Sequence, residues 1–183
     1  MSTMGIDNYH SDSDQPSRIH SEALEETAMD NCTLVNKPSL NLTGLSYSGP
    51  YSTLPEQAIR LQSEFLARKH ELNNDVKSSI VYSPFHGNEV FATYWACFET
   101  AHLEEVPEGM VQFTVPEHAY AMVTCTNERM GEGYEQIAAW MAEHKLQKDD
   151  NAVTIEVFYI DEHLEEEPVD ILIPIKEAAL PRT

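Results

Sequence analysis

One acidic residue, Glu156, lies within a run of β-forming residues, 153–159. Branched and aromatic side chains throughout this run predict a strand in the middle of a sheet. Successive side chains of a strand point to opposite faces, so Thr154, Glu156 and Phe158 share one face. The opposite face, which we expect helices to cover, carries Val153, Ile155, Val157 and Tyr159. Because an unpaired buried carboxylate is costly, Glu156 is either a solvated surface acid or a cleft residue that can pair with a cation.

Aromatic residues around such a carboxylate would complete a site for a cation, because the negative face of an aromatic ring attracts a positive charge. Each ring of this chain can equally be an ordinary core residue, since large rings dominate the cores of small domains. The residues that we select as a candidate ligand site are Glu156, Phe158, Tyr94, Tyr120 and Trp140.

Motifs for nucleotide, metal or redox chemistry are missing from the sequence. It contains no P-loop, no HExxH and no CxxC pair. The eight histidines are scattered without metal-ligand spacing. The acidic run 161–170 could hold a hard cation, but such a run is more often a solvated loop. We therefore expect no cofactor and no metal site.

The charge balance limits the classes of partner. Eleven Lys and Arg residues stand against 31 Asp and Glu residues, which gives a formal net charge of −20. Direct nucleic-acid binding is not expected, because it requires clustered Lys and Arg. The same charge favours a cationic small molecule or a basic protein partner.

The cysteines and the hydropathy pattern predict a cytoplasmic location. The three cysteines, at positions 32, 97 and 125, are widely spaced and odd in number, which suits free thiols in a reducing compartment. No basic, apolar leader pattern and no stretch of membrane-spanning length is present.

The element pattern predicts a tail followed by one domain. Residues 1–31 are polar and show no sustained apolar period, so we predict a disordered acidic tail before a domain over 32–183. One predicted helix begins at a capping-box pattern, Thr53–Glu56, and runs to about Leu72. A second follows a glycine-bounded turn at 131–133. Strand-like segments lie at 33–35, 40–47, 79–82, 90–100, 111–115, 120–126, 153–159 and 169–175.

The order of these elements repeats at a separation near 78 residues. Val35–Pro38 corresponds to Phe113–Pro116, and Val81-Tyr82 corresponds to Phe158-Tyr159. A period this long indicates a fused pair of units rather than a solenoid. We predict an α+β fold in which a βαββ unit is duplicated about a pseudo-twofold axis, with repeats at about 32–105 and 106–176.

From Thr33 to Lys176 the chain resembles the GyrI-like small-molecule-binding domain, also called the AraC-type effector-binding domain. No single sequence segment is specific to this family, but the order and spacing of several segments together are. The segments that carry the resemblance are Leu45–Tyr51, Phe91–Tyr94, Phe98–Thr100, Pro107–Met110, Tyr120–Met122, Ile155–Tyr159 and Asp170–Ile175.

The resemblance implies antiparallel sheets that form a ligand groove. In multidrug-responsive regulators of this family, a Glu in the penultimate strand meets lipophilic cations among aromatic rings, and Glu156 is the matching residue. This chain shows no DNA-binding segment, so it resembles a stand-alone member. The implied function is a sensor or sequestering protein for hydrophobic, often cationic, molecules.

Two alternatives stay open at this point. Stand-alone relatives include hydrolases of cyclopropane-bearing toxins, in which Glu156 would act on water with an aromatic such as Tyr94 or Tyr120 assisting. They also include an acidic protein that modulates DNA gyrase.

Overall fold

The computed structural model describes residues 31–72, 79–161 and 163–176, so the predicted tail lies outside it except for Asn31. Two α-helices, α1 (Leu54–Ala67) and α2 (Met130–Glu143), each follow a short 3-10 turn. A third 3-10 turn, Lys69–Glu71, follows α1. The strands are β1 (Cys32–Lys37), β2 (Leu40–Pro50), β3 (Ile80–Gly87), β4 (Phe91–Glu99), β5 (Val111–Val115), β6 (His118–Thr126), β7 (Thr154–Tyr159) and β8 (Pro168–Pro174).

The eight strands form one sheet in the order β1-β6-β8-β7-β3-β4-β2-β5. Every pairing is antiparallel. The predicted α+β class with antiparallel strands is confirmed. The described strands form one continuous sheet, because β3 and β7 pair directly at its centre.

The strand order shows the predicted pseudo-twofold symmetry. Exchanging β1–β4 with β5–β8 in turn returns the same order read from the other end. The first strand of each half pairs outside that half, since β1 adds to β6 and β5 adds to β2. Ser83 of β3 lies opposite Glu156 of β7 at the centre of the sheet. The repeat boundaries near residues 105 and 106 remain a prediction.

Both helices pack on the face of the sheet that carries Glu156, and the expectation that they cover the Ile155 face is wrong. Phe158 belongs to the cluster that contains Leu61 and Phe65 of α1 and Ile137 of α2. The residues that bury the opposite face come from the sheet itself, from strands β2, β4, β5, β6, β7 and β8. This second cluster contains Leu40, Leu42, Cys97, Val115, Tyr120, Ile155, Val157 and Leu172.

The boundaries of α1 and β3 differ from the predicted ones. Thr53 precedes α1, but its hydroxyl donates to the Pro50 carbonyl at 2.9 Å, and no capping box forms. Helix α1 ends at Ala67, before the 3-10 turn. Strand β3 extends beyond the predicted segment at 79–82, because it continues to Gly87. Pro84, which lacks an N–H, lies where the β3–β4 register is interrupted.

The glycines predicted as a turn lie inside α2, and Gly133 lets this helix approach the sheet. Gly133 is buried. A Cβ atom at this position would lie 2.9 Å from the Cys125 Sγ atom and 3.1 Å from the Ile171 Cδ1 atom. At Gly131 a Cβ atom would meet nothing within 4 Å. The position of α2 on the sheet therefore depends on Gly133.

Of the helices in the described part of the chain, none combines the length and apolar content needed to cross a bilayer.

Replacing Gly133 with Val is expected to lower the free energy of unfolding by about 1–3 kcal/mol, because the side chain overpacks the α2–sheet contact. Gly131→Val is the matched control, since it puts the same β-branched residue into the same helix turn but into open space. Urea denaturation of both variants measures the difference. Equal stability of the two variants would contradict the close-approach role of Gly133.

Candidate functional site

A cleft of about 870 Å³ opens on the helix-covered face of the sheet. Its walls come from α1 on one side and α2 on the other, and its floor comes from β3, β4 and β7. Pockets for drug-sized ligands span roughly 300–1,000 Å³. The lining residues are Tyr51, Leu54, Pro55, Ala58, Ile59, Gln62, Ser63, Leu66, Phe85, Tyr94, Asn127, Met130, Gly131, Tyr134, Glu156, Phe158, Ile160 and Glu167.

Glu156 lies on the floor of this cleft and is only 8% exposed. The Tyr134 hydroxyl of α2 donates to its Oε1 atom at 2.6 Å. The Tyr94 hydroxyl of β4 donates to its Oε2 atom at 3.0 Å. Both carboxylate oxygens therefore accept a hydrogen bond, and neither bond is from a positively charged group.

Gln62 of α1 determines which way the Tyr94 hydroxyl points. The Gln62 Nε2 atom donates to the Tyr94 hydroxyl oxygen at 3.0 Å and to the Ser83 hydroxyl oxygen at 3.2 Å. An oxygen that accepts from Gln62 keeps its own proton available for another partner. The Tyr94 proton is thus directed to Glu156, and a chain of hydrogen bonds links both helices through the carboxylate.

Burial is the main influence on the ionisation of these groups. Desolvation raises the pKa of Glu156 above its ordinary value, and the hydrogen bonds from Tyr134 and Tyr94 oppose part of this rise. Burial and the nearby Glu156 carboxylate raise the pKa of both Tyr94 and Tyr134. The two phenols therefore stay protonated and act as donors at neutral pH.

The rest of the cleft is apolar and aromatic. Phe85 stacks on Tyr94, with ring centroids 6.4 Å apart. Phe158, two residues beyond Glu156 in β7, contributes another buried ring. Among the described residues that line the cleft, none is Lys, Arg or His, whereas two, Glu156 and Glu167, are carboxylates. Among the described lining residues, the desolvated acid therefore has aromatic rings around it and no basic side chain beside it.

The sequence of residues 33–175 matches the model of the family described as integron-associated effector binding protein. The chain belongs to this family. It is also 29% identical over 152 residues to the transcriptional regulator BrlR of Pseudomonas aeruginosa, with 78% of this chain aligned. The alignment covers 54% of BrlR, so the chain spans about half the length of that relative.

Solved structures share the effector-binding fold. The structure of SAV2435 bound to tetraphenylphosphonium superposes with a TM-score of 0.63 at 13% identity, covering 80% of this chain and 94% of that one. An integron cassette protein from Vibrio cholerae superposes with a TM-score of 0.61 at 14% identity, covering 80% and 96%. The predicted resemblance to the GyrI-like effector-binding domain is confirmed, and its family makes this chain a small-molecule-binding domain.

Three residues of the predicted site meet in the cleft of this effector-binding domain, and two do not. Glu156, Phe158 and Tyr94 line it together. Tyr120 belongs to the cluster on the opposite face of the sheet, and its hydroxyl has no hydrogen-bond partner among the described residues. Trp140 lies on α2 outside the cleft lining and stacks on His144, with ring centroids 4.3 Å apart.

Sequence reasoning missed Tyr134, Gln62 and Phe85. Tyr134 shares the apolar face of α2 with Ile137 and Met141. A tyrosine within such a face is a usable signal, because its hydroxyl needs a partner when it is buried. Phe85 lies beyond the strand segment predicted at 79–82, in the part of β3 that sequence reasoning missed. Gln62 carries no sequence signal that separates it from a solvated helix residue.

Proposed function

We propose that this domain binds lipophilic cations in the cleft, with Glu156 as the counter-charge. The observation that carries the proposal is a carboxylate, 8% exposed, that has two phenol donors and no basic side chain among the described residues lining its cleft. A ligand with a positive charge would supply the missing compensation. The bound tetraphenylphosphonium of SAV2435 is a ligand of this class in a protein of the same fold.

Aromatic surface adds to the attraction for such a ligand. A cation over the rings of Phe85, Phe158 or Tyr94 would gain about 0.5–2 kcal/mol per favourable contact. A bulky ion with delocalised charge also loses less hydration on entering an apolar cleft than a small ammonium ion does. The cleft therefore favours large organic cations over inorganic ones.

The biological role that follows is sensing or sequestering such compounds, and we infer that the protein works in the cytoplasm. The net charge of −20 supports the entry of cations into the cleft by long-range attraction. Glu156 orients the ligand more surely than it adds net affinity, because the pair must be desolvated.

Tetraphenylphosphonium is expected to stabilise the protein against heating. A ligand at 100 times its dissociation constant adds about 2.7 kcal/mol, which corresponds to a rise in Tm of roughly 5–10 °C for a chain of this size. Triphenylphosphine oxide, which keeps three of the rings but is neutral, is the control and should give a much smaller rise. Equal shifts for the two compounds, or none for either, would contradict cation binding. Recovery of a chemically altered probe would indicate turnover instead.

A further inference from the structure

We propose that the cleft prefers elongated dications whose two positive charges lie about 15 Å apart, paired with Glu156 at one end and Glu167 at the other. This inference rests on the cation binding proposed above and specifies its ligand class further.

Glu167 is held at the edge of the same cleft by contacts with two other segments. It is half-buried and lines the cleft together with Asn127 and Ile160. Its backbone exchanges hydrogen bonds with Asn127 just before α2, because Asn127 N–H donates to the Glu167 carbonyl at 3.0 Å and Glu167 N–H donates to Asn127 Oδ1 at 3.2 Å. The Glu167 Oε1 atom accepts from Asp161 N–H at 3.3 Å. These contacts hold the Glu167 backbone against the turn before α2 and place one of its carboxylate oxygens beside the Asp161 N–H.

The distance between the two carboxylates follows from the course of the chain after Glu156. Phe158 and Ile160 occupy alternate positions beyond Glu156, and all three line the cleft. The Glu167 carboxylate contacts the backbone N–H of Asp161, five residues beyond Glu156. At about 3.3 Å per residue along an extended chain, the two acids are about 15 Å apart.

Two apolar lining residues, Phe158 and Ile160, lie on the segment that runs from Glu156 towards Glu167. A hydrophobic spacer can lie against this surface without leaving a polar group unpaired. A monocation in the cleft would satisfy Glu156 alone. A dication of matching length would also place a charge beside Glu167, which no basic residue among the described lining residues neutralises. Arg129 lies nearby on the exposed surface, but it pairs with Glu132.

The test uses α,ω-bis(trimethylammonium)alkanes of increasing length, each compared with the alkyltrimethylammonium ion of the same chain length. Isothermal titration of the full chain with both series should show a gain of about fivefold to twentyfold for the dication, with a maximum where its charges are about 15 Å apart. Glu167→Gln should remove this gain and change monocation affinity by less than about twofold. Glu165→Gln is the matched control, because it removes the same charge from an exposed residue outside the cleft lining.

Dications that bind no better than monocations at every length, or equal effects of Glu167→Gln and Glu165→Gln, would overturn the proposal. Either result leaves the proposed function intact as long as monocations bind in a manner that depends on Glu156. If the unchanged protein does not bind monocations, both proposals are overturned.

Discussion

Replacing Glu156 with Gln is expected to weaken the binding of tetraphenylphosphonium by about 2–5 kcal/mol, the usual cost of removing one partner of a desolvated charge pair. Gln has nearly the same shape and can still accept a hydrogen bond from Tyr94 or Tyr134. The substitution therefore removes the charge and leaves the cleft. Binding of triphenylphosphine oxide should change little, because a neutral ligand forms no ion pair.

The chain offers a matched control for this variant. Asp170 is also 8% exposed, and its carboxylate also accepts from two hydroxyls, Thr124 at 2.6 Å and Tyr159 at 2.7 Å. It lies in β8 but does not line the cleft. Asp170→Asn should leave the affinity for the cation unchanged, although it removes a buried negative charge from the same sheet.

Isothermal titration of both ligands against the three proteins separates the possibilities. Equal losses for the charged and the neutral ligand in Glu156→Gln would show that Glu156 shapes the cleft and does not recognise charge. Equal losses in Glu156→Gln and Asp170→Asn would show that the total charge of the sheet matters and not the position of the carboxylate.

The presence of each strand and helix could be predicted from the sequence, because each has a local apolar pattern, but the boundaries of α1, α2 and β3 could not. The order of the strands could not, because β1 pairs with β6 and β5 pairs with β2, contacts that join distant segments. The face covered by the helices was also mispredicted. Strand alternation separates two faces, but both faces of β7 are buried in the structure, so alternation alone does not show which of them the helices cover.

A site residue could be predicted from the sequence only where its side chain is unusual for the strand or helix that contains it. Glu156 stands out because an acid among β-branched and aromatic residues needs an explanation. Tyr120 is the opposite case. A tyrosine in a strand next to small apolar residues can lie in a core or in a cleft, and its sequence context does not distinguish the two. Tyr134 and Gln62 could not be assigned, because their roles depend on how each helix is rotated on the sheet.

The affinity for tetraphenylphosphonium is expected to fall about tenfold for each pH unit below the pKa of Glu156. The probe keeps its charge at every pH, so only the protein titrates. Burial raises the pKa of Glu156, and below this raised value a proton occupies the carboxylate that the cation needs. The stability of the unliganded protein depends on pH in the opposite direction. Because the folded-state pKa exceeds the unfolded one, this group destabilises the fold as pH rises from the ordinary carboxyl range through the raised pKa.

Tyr134→Phe tests whether Glu156 is the origin of the pH dependence of cation affinity. The hydrogen bond from Tyr134 lowers the pKa of Glu156, so its removal should move the onset of the affinity loss to higher pH. Glu156→Gln should show neither the affinity loss at low pH nor the associated fall in stability as pH rises. Titrations with tetraphenylphosphonium at several pH values, together with urea denaturation of the unliganded proteins, measure both effects. An onset that moves to lower pH in Tyr134→Phe, or the same pH dependence in Glu156→Gln as in the unchanged protein, would show that a group other than Glu156 controls cation binding.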